Sequence, residues 1–181
     1  EIKRSIRALG EESKADVVIV EVGGTVGDIE GQPYLEAIRQ LRYEMDPGHT
    51  LLVHVTLVPY LRKAQELKTK PTQHSVKELG SMGLQPDILV CRSEKPISNE
   101  ARAKIAMFCN LTPGEVISDP NTRTVYELPL IFEREGLHKI IERKLDIRIR
   151  PDLTKWKRLV NTILAPKREI KIAMCGKYTE L

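Results

Sequence analysis

A short apolar run that leads directly into a glycine-rich, acidic segment is the most constraining feature of the sequence. Residues 17–20 are all Val or Ile, which predicts a buried strand. Residues 21–30 follow with three glycines within five positions, and these free the backbone to turn and to approach a ligand closely. Ligands of open α/β sheets bind at the carboxyl ends of the strands, so this loop is a candidate binding segment.

Three carboxylates of this loop, Glu21, Asp28 and Glu30, predict a site for a hard cation. Mg²⁺ prefers one or two protein carboxylates together with the phosphate oxygens of a bound substrate. An acidic turn on the protein surface is the alternative interpretation of the same residues.

Residues 68–73, with the sequence Lys-Thr-Lys-Pro-Thr-Gln, form the second informative segment. Pro71 suits the first turn of a helix, and apolar residues at helical spacing predict that this helix continues to Gly83. The helix N-terminus offers free N–H groups and the positive end of the helix dipole, while Lys68 and Lys70 add two cations. The segment therefore predicts a triphosphate clamp, with an ordinary capped surface helix as the alternative.

Composition and charge exclude several classes of protein. The 181 residues suffice for one domain, or for one domain and part of another, and the formal charge of +4 is too small to indicate nucleic acid. The three cysteines lack the spacing of a disulfide framework or a zinc site, which favours a reducing compartment. With no apolar run near 18 residues, we expect a cytoplasmic protein without a membrane partner.

The rest of the chain alternates apolar strands with helical patterns, which predicts an α/β protein with a mostly parallel sheet flanked by helices. Buried strands are predicted at residues 51–58, 88–91 and 116–119, and helices at 33–45, 99–109 and 128–145, the last interrupted at 135–136. His54 is predicted to be a satisfied core or edge histidine. A basic helix at 151–164 carries Trp156, predicted to pack against the protein, and a new strand follows at 170–174.

Several blocks in collinear order give the chain a specific resemblance to the CTP synthase family. They are residues 21–30 and 68–73, extended by 86–92, 104–109 and 174–178. The resemblance implies a P-loop-NTPase-like fold. The chain contains no GxxxxGK[ST] phosphate loop, so the match is to the amidoligase (synthetase) domain without its N-terminal phosphate-loop portion.

The resemblance also implies a division of the chain and an activity. Residues 1–147 would be a partial amidoligase domain, 148–169 an interdomain linker, and 170–181 the start of a glutamine amidotransferase domain. Family members convert UTP to CTP: ATP phosphorylates the uracil O4, and ammonia released from glutamine then replaces the phosphate. They use Mg²⁺ and assemble as homo-tetramers. Because the phosphate loop and the glutaminase cysteine are missing, we expect the isolated chain to be inactive.

By resemblance, the site residues fall into four groups. Glu21 matches the Mg²⁺ ligand. The family's feedback segment for CTP matches Asp28, Ile29, Glu30 and Phe108. The UTP- and CTP-binding residues match Lys68, Thr69, Lys70, Pro71, Thr72, Gln73 and Lys104. The ATP-binding residues match Arg92, Pro120, Asn121 and Thr122.

Alternatives remain for some of these site residues and for the function of the chain. Pro120 and Asn121 stand where the family often has a Lys-Asp pair. This departure leaves the side-chain contacts to ATP open, although backbone contacts could survive. Phe108 is alternatively a core residue. The chain could also be a non-catalytic nucleotide-sensing or assembly module, or part of another P-loop-related ATP-dependent ligase.

Overall fold

The computed structural model describes residues 1–166, 168 and 170–177. Within these residues the strands are β1 (Val53–Leu57), β2 (Tyr60–Leu61), β3 (Glu66–Leu67), β4 (Ile88–Ser93) and β5 (Val116–Pro120). The α-helices are α1 (Ile2–Ser13), α2 (Gln32–Glu44), α3 (Lys70–Ser81), α4 (Asn99–Phe108), α5 (Leu128–Arg134), α6 (Leu137–Leu145) and α7 (Thr154–Leu164). Short 3₁₀ turns lie at Ile29–Gly31, Pro113–Glu115 and Val125–Glu127.

A parallel sheet with the order β1-β4-β5 forms the centre of the fold. Parallel neighbours require crossover connections, and α3 connects β1 to β4 while α4 connects β4 to β5. The predicted α/β class, with a parallel sheet flanked by helices, is therefore confirmed, and the architecture agrees with a P-loop-NTPase-like fold. The predicted interruption between α5 and α6 is also confirmed, with Gly136 in a left-handed conformation at φ +80°.

One face of the sheet packs against α3 and α4. Leu89 and Cys91 of β4 lie there with Val76 of α3 and Ile105 of α4, and all four are buried. Burial of a large aliphatic side chain contributes roughly 1.5–3 kcal/mol, so this cluster is a major source of stability. Burial raises the pKa of the Cys91 thiol to about 12, which makes Cys91 an inert core residue.

The opposite face of the sheet packs against α5 and α6. Ile88 and Val90 of β4 and Ile117 of β5 contact Ile140 of α6, with Phe132 of α5 beside them. Because the side chains of a strand alternate between faces, β4 supplies apolar residues to both layers. This explains the uninterrupted apolar run at residues 88–91, which is typical of a strand covered on both faces.

The predicted strand at residues 17–20 is wrong. These residues form no strand, and the side chains of Val17 and Ile19 are 58% and 90% exposed. An apolar run becomes a strand only where another strand accepts its backbone hydrogen bonds, and no strand in the described part of the chain pairs with it. The predicted strand at 170–174 is wrong for the same reason, with Ile172 83% exposed. Residues 178–181, assigned to the same new domain, lie outside the described residues, as do Lys167 and Glu169 of the predicted linker.

The prediction that the strand at residues 51–58 is buried is only half right. β1 lies at the edge of the sheet, and Val53, Val55 and Leu57 on one of its faces are 43%, 62% and 61% exposed. Its other face packs against α3, where Thr56 is buried and His54 is half-buried. The burial alternates because helix α3 covers this strand on one side only.

Two side-chain hydrogen bonds attach α3 to β1. Thr56 and Thr72 share a hydrogen bond between their Oγ1 atoms at 3.1 Å, and His54 Nε2 lies 2.9 Å from Ser75 Oγ. The prediction that His54 is a satisfied histidine is therefore confirmed. Burial lowers the pKa of His54 below its ordinary value, because the protonated ring is poorly solvated there.

Helix α7 packs through its aromatic residue. Trp156 Nε1–H donates to the Tyr126 carbonyl oxygen at 2.7 Å, and the ring centroids of the two residues are 6.0 Å apart. The prediction that Trp156 packs against the protein is confirmed. Among the described helices, none is both long and apolar enough to cross a bilayer.

The core position of β4 leads to a prediction about stability. Leu89→Ala should reduce the free energy of unfolding by about 2–5 kcal/mol, because Leu89 is fully buried and its removal leaves a cavity. Leu9→Ala is the matched control, since Leu9 is 56% exposed, and should change stability by about 0.5 kcal/mol or less. Urea denaturation followed by circular dichroism measures both; equal losses would contradict the assignment of Leu89 to the core.

The environment of His54 predicts a pH dependence. The pKa of His54 is lower in the folded protein than in the unfolded chain. At a pH between these two pKa values, the unfolded chain therefore binds more protons than the folded protein. Stability is therefore lost as the pH falls through about 6.5 toward the folded-state pKa. Denaturation at pH 5 and pH 7.5 should show a smaller acid-induced loss for His54→Gln than for the wild type. His74→Gln retains His54 and should keep the wild-type behaviour; an unchanged pH profile in His54→Gln would refute the prediction.

Candidate functional site

The segment at residues 68–73 connects β3 to the start of α3. The Lys68 backbone N–H donates to the Pro59 carbonyl oxygen at 2.8 Å, which extends the β2–β3 hairpin by one residue. Gln73 Nε2 donates to Thr69 Oγ1 at 3.1 Å, and the Gln73 backbone N–H donates to the Thr69 carbonyl oxygen. Pro71 lies in the first turn of α3. Proline lacks a backbone N–H, but an N–H in the first turn has no acceptor within the helix, so no helical hydrogen bond is lost.

The polar residues of this segment divide into buried and exposed groups. Thr69, Thr72 and Gln73 are buried, and Thr72 Oγ1 also donates to the Leu57 carbonyl oxygen at 3.1 Å. These side chains fix the start of α3 against the carboxyl end of β1. Lys70 is exposed, and so its ammonium faces solvent at the N-terminal end of the helix.

A cluster of three charges, which we call the Glu66 cluster, consists of Glu66, Lys68 and Lys104. Lys68 Nζ lies 2.6 Å from Glu66 Oε2, and the positive charge of Lys104 on α4 acts on the same carboxylate through space. The Lys68 ammonium, followed by the weaker field of Lys104, holds the pKa of Glu66 below its ordinary value. The structure thus brings together two of the sequence-predicted cations from different elements.

The hairpin that carries the Glu66 cluster is anchored by polar contacts. Lys95 Nζ donates to the Tyr60 hydroxyl at 2.8 Å and lies 4.1 Å from the centre of its ring. The Tyr60 hydroxyl in turn donates to Gln65 Oε1 at 2.7 Å, and Gln65 Nε2 donates to the Arg62 carbonyl oxygen. These bonds hold Gln65 in a left-handed conformation at φ +51°, which non-glycine residues rarely adopt.

The acidic loop lies against α3 farther along the helix. Val26 packs against the core cluster that contains Leu79. A Cβ added at Gly27 would lie 3.3 Å from the flexible Glu78 side chain, and the backbone angle of φ +106° there favours glycine. Glu78 is eight residues beyond Lys70, which is about 12 Å along a helix. The loop and the lysine segment therefore share one helix, but they contact different parts of it.

The predicted ligand-binding residues of the loop are exposed. Asp28 Oδ2 accepts from the Thr25 backbone N–H at 3.2 Å and closes the turn, while the Ile29 side chain is 81% exposed. Glu21 and Glu30 are exposed as well, and no ion pair joins either of them to a lysine in the described part of the chain. The structure leaves these carboxylates open to solvent rather than joining them to the Glu66 cluster.

Phe108 is exposed, so its alternative interpretation as a core residue is wrong. Its side chain is 55% exposed at the C-terminal end of α4. Lys104 lies four residues earlier, which puts both residues on one face of the helix. An exposed aromatic ring therefore adjoins the cation of the Glu66 cluster on α4.

Arg92 connects the ends of β4 and β5. Arg92 Nη2 donates to Asn121 Oδ1 at 2.7 Å, and Nη1 donates to the carbonyl oxygens of Asp119 and Ser93 at 3.2 and 3.3 Å. The Asn121 backbone N–H donates to the Ser93 carbonyl oxygen, and Pro120 pairs with Ser93 in the sheet. Arg92, Pro120 and Asn121, predicted from separate segments, are therefore neighbours.

A cleft of about 600 Å³ opens beside this group, between the end of β5 and helices α5 and α7. Asn121 and Thr122 line it on one side, and Lys157 and Asn161 of α7 line it on the other. Its size suits a nucleoside-sized ligand. The cleft includes predicted ATP-binding residues but none from the acidic loop or from residues 68–73.

Sequence reasoning missed two carboxylates at this edge of the sheet. Glu66 lies in a segment without clear periodicity, and Asp119 is the last residue of an apolar strand. Neither residue belongs to a motif, although an acidic residue two positions before Lys68 was a usable signal. In the described residues, no three His, Cys, Asp or Glu side chains lie close enough together to form a metal cluster.

Comparison with known proteins identifies the family. The family model described as the CTP synthase N-terminus matches residues 1–147. The chain is 51% identical to a CTP synthase of Thermus thermophilus, 54% to that of Methanococcus maripaludis and 53% to that of Symbiobacterium thermophilum. Each match covers 100% of this chain but only 33–34% of the relative, so the chain spans about a third of the length of these curated relatives. The chain belongs to the CTP synthase family.

Proposed function

We propose that this chain forms the nucleotide-binding part of a CTP synthase, which converts UTP to CTP with ATP and glutamine-derived ammonia. The observation that carries the proposal is the Glu66 cluster, in which Lys68 and Lys104 come together from separate elements. It lies beside the N-terminus of α3, which adds free N–H groups and a positive dipole end. Membership of the family supports the choice of reaction.

The pyrimidine triphosphate would bind to the exposed lysines, with the buried residues holding the helix in place. Lys68, Lys70 and Lys104 supply positive charge, and the first N–H groups of α3 supply hydrogen-bond donors. Thr72 orients these donors through its bonds to Leu57 and Thr56. The remaining residues of the proposed clamp are Thr69, Pro71 and Gln73.

Glu21 would hold Mg²⁺. Its carboxylate is exposed beside Gly23, and the next residue, Gly24, adopts φ +88° with open space around it. One accessible carboxylate suits this ion, which takes most of its other ligands from water and phosphate. When bound, Mg²⁺ neutralises charge on the ATP phosphates.

The acidic loop would distinguish CTP from UTP. Asp28 and Glu30 can accept hydrogen bonds from the exocyclic amine of cytosine, which uracil lacks. Ile29 and Phe108 are exposed apolar residues that could contact the nucleotide. These four residues are the proposed site of feedback binding by CTP.

ATP would bind at the end of β4 and β5. Arg92, Pro120, Asn121 and Thr122 form the proposed adenine side, and the contacts of Arg92 to Asn121 and Asp119 orient this loop. Backbone groups of residues 120–122 are the expected ligands here.

The remaining features of the proposal concern the whole protein. Residues 1–147 would belong to the amidoligase domain, 148–169 to a linker and 170–181 to a glutaminase domain that delivers ammonia. The assembly would be a homo-tetramer in the cytoplasm.

Lys70→Ala tests the triphosphate clamp. We expect the affinity for UTP and for CTP to fall at least tenfold, about 1.4 kcal/mol, because an exposed phosphate ligand is lost. Lys77→Ala, on the same helix and also exposed, is the matched control and should bind as the wild type does. Titration calorimetry of the complete protein with Mg²⁺ measures both.

Two results would contradict the clamp. Equal losses in Lys70→Ala and Lys77→Ala would indicate a general effect of charge on the helix. Indistinguishable binding of UTP, CTP and ATP by the wild type would indicate nonspecific attraction of polyanions.

Glu30→Gln tests the feedback segment. The variant should bind CTP about tenfold more weakly and UTP as well as before, since only cytosine donates from an amine to this carboxylate. Glu11→Gln, an exposed change on α1, should alter neither affinity. The ratio of the two dissociation constants is measured by calorimetry, and a parallel loss for UTP and CTP would count against the assignment.

A further inference from the structure

Strand β5 is the last strand of the central sheet, and no strand in the described part of the chain pairs with its outer side. Such a side presents backbone N–H and C=O groups to which a further strand can bind. Alternate residues of a parallel strand direct these groups to opposite sides. The Asn121 N–H donates to the Ser93 carbonyl oxygen of β4, so Val116, Ser118 and Pro120 face outward.

Two charged side chains, which we call the edge pair, cover the outward groups of β5. They are Arg102 of α4 and Glu135, the residue after α5. Arg102 Nη1 donates to the Val116 carbonyl oxygen, and the Ser118 backbone N–H donates to Glu135 Oε2 at 3.1 Å. Arg102 Nη2 donates to the same oxygen of Glu135 at 2.7 Å, and the two side chains are only 18% and 24% exposed. One half-buried ion pair therefore lies along the outer side of the strand.

The other N–H donors of the outward residues are already used or absent. The Val116 N–H donates to the Pro113 carbonyl oxygen in the 3₁₀ turn before the strand. Pro120 has no N–H, and proline in a sheet is typical of a strand edge. Because Glu135 accepts from Ser118, none of the three outward residues has a backbone donor available. An added strand needs donors as well as acceptors, so this side of β5 cannot pair with one.

The interruption between α5 and α6 places Glu135 beside the strand. The Glu135 N–H donates to the Ile131 carbonyl oxygen at 2.8 Å, and Gly136 then turns the chain in a left-handed conformation. On the other face of the sheet, Ser98 caps α4, and the Arg102 N–H donates to the Ser98 carbonyl oxygen at 2.9 Å. The edge pair thus connects the helical layers of both faces across the free side of the sheet.

We infer that the edge pair closes β5 and prevents a strand of a second copy of the chain from adding to the sheet. Partly buried ion pairs contribute little net stability, so stability alone is a poor reason for an arginine and a glutamate at this place. Charged residues at a sheet edge are, by contrast, a means by which proteins prevent edge-to-edge association. The inference concerns association of the chain and does not depend on the proposed nucleotide sites.

Asp87 offers a matched control within the same sheet. Its Oδ2 accepts from the Leu52 backbone N–H at 2.7 Å and from Arg42 Nη1 at 2.8 Å, and its side chain is 21% exposed. Leu52 faces β4, however, because its carbonyl oxygen accepts from the Ile88 N–H. Removal of the Asp87 carboxylate therefore breaks the same kinds of contact as removal of Glu135, but it opens no free side of the sheet.

Glu135→Ala should open the edge, because Ser118 loses its acceptor. We expect the complete protein with this change to form thioflavin-binding aggregates about tenfold faster than Asp87→Ala does. Light scattering and thioflavin fluorescence measure the rates at a temperature where both variants keep the native circular dichroism. Glu135→Gln retains an acceptor oxygen and should associate as slowly as the wild type. Equal rates for the two alanine variants, or equal rates for Glu135→Gln and Glu135→Ala, overturn the inference.

Hydrogen exchange of the wild type tests the closed edge without any variant, and so applies even if Glu135→Ala does not fold. The Ser118 amide should exchange at least about a hundredfold more slowly than in an unstructured peptide of the same sequence, because Glu135 holds its hydrogen. Mass spectrometry with fragmentation of the peptide that contains β5 measures this rate. Weaker protection of Ser118 shows that the edge is open and overturns the inference.

Discussion

The pairing of β4 with a parallel strand on each side is the interaction on which the rest of the structure depends. β4 contributes Leu89 and Cys91 to one core layer and Ile88 and Val90 to the other, so all four helices packed on the sheet depend on it. Because the three strands are parallel, their carboxyl ends meet at one edge. The residues proposed to bind ATP, Arg92 and 120–122, lie at that edge, and the lysine segment at residues 68–73 follows β1 through the β2–β3 hairpin.

Polar contacts at this edge are of two kinds, and they have different consequences. Thr72 is buried and bonded to β1, so it determines where the first turn of α3 lies. Lys68 and Lys70 are more exposed, and their charges remain available to a ligand. In the Glu66 cluster the carboxylate moderates the repulsion between two lysines in the absence of phosphate, although an exposed pair of this kind adds little stability. Rigid packing thus supports a site whose charged groups stay accessible.

Several elements followed from local sequence, and others did not. Pro71 and the apolar spacing after it predicted α3, because a helix makes its hydrogen bonds within one segment. The apolar runs at 17–20 and 88–91 look alike in sequence, but only the second is a strand in the structure. A strand needs partners from distant segments, and for residues 17–20 the described chain supplies none. Glu66 and Asp119 escaped prediction because their significance depends on neighbours that are far away in sequence.

The sequence by itself determined the α/β class, the family and the groups of residues that its motifs contain, since motifs and periodicity are local properties. Tertiary structure decided that the charge of Lys104 acts on the carboxylate that Lys68 pairs with, and that Arg92 joins Asn121. It also decided that the acidic loop contacts α3 near Glu78 rather than at Lys70, and that Phe108 is exposed. These are distances between residues tens of positions apart, and the register of the sheet and the packing of the helices set them.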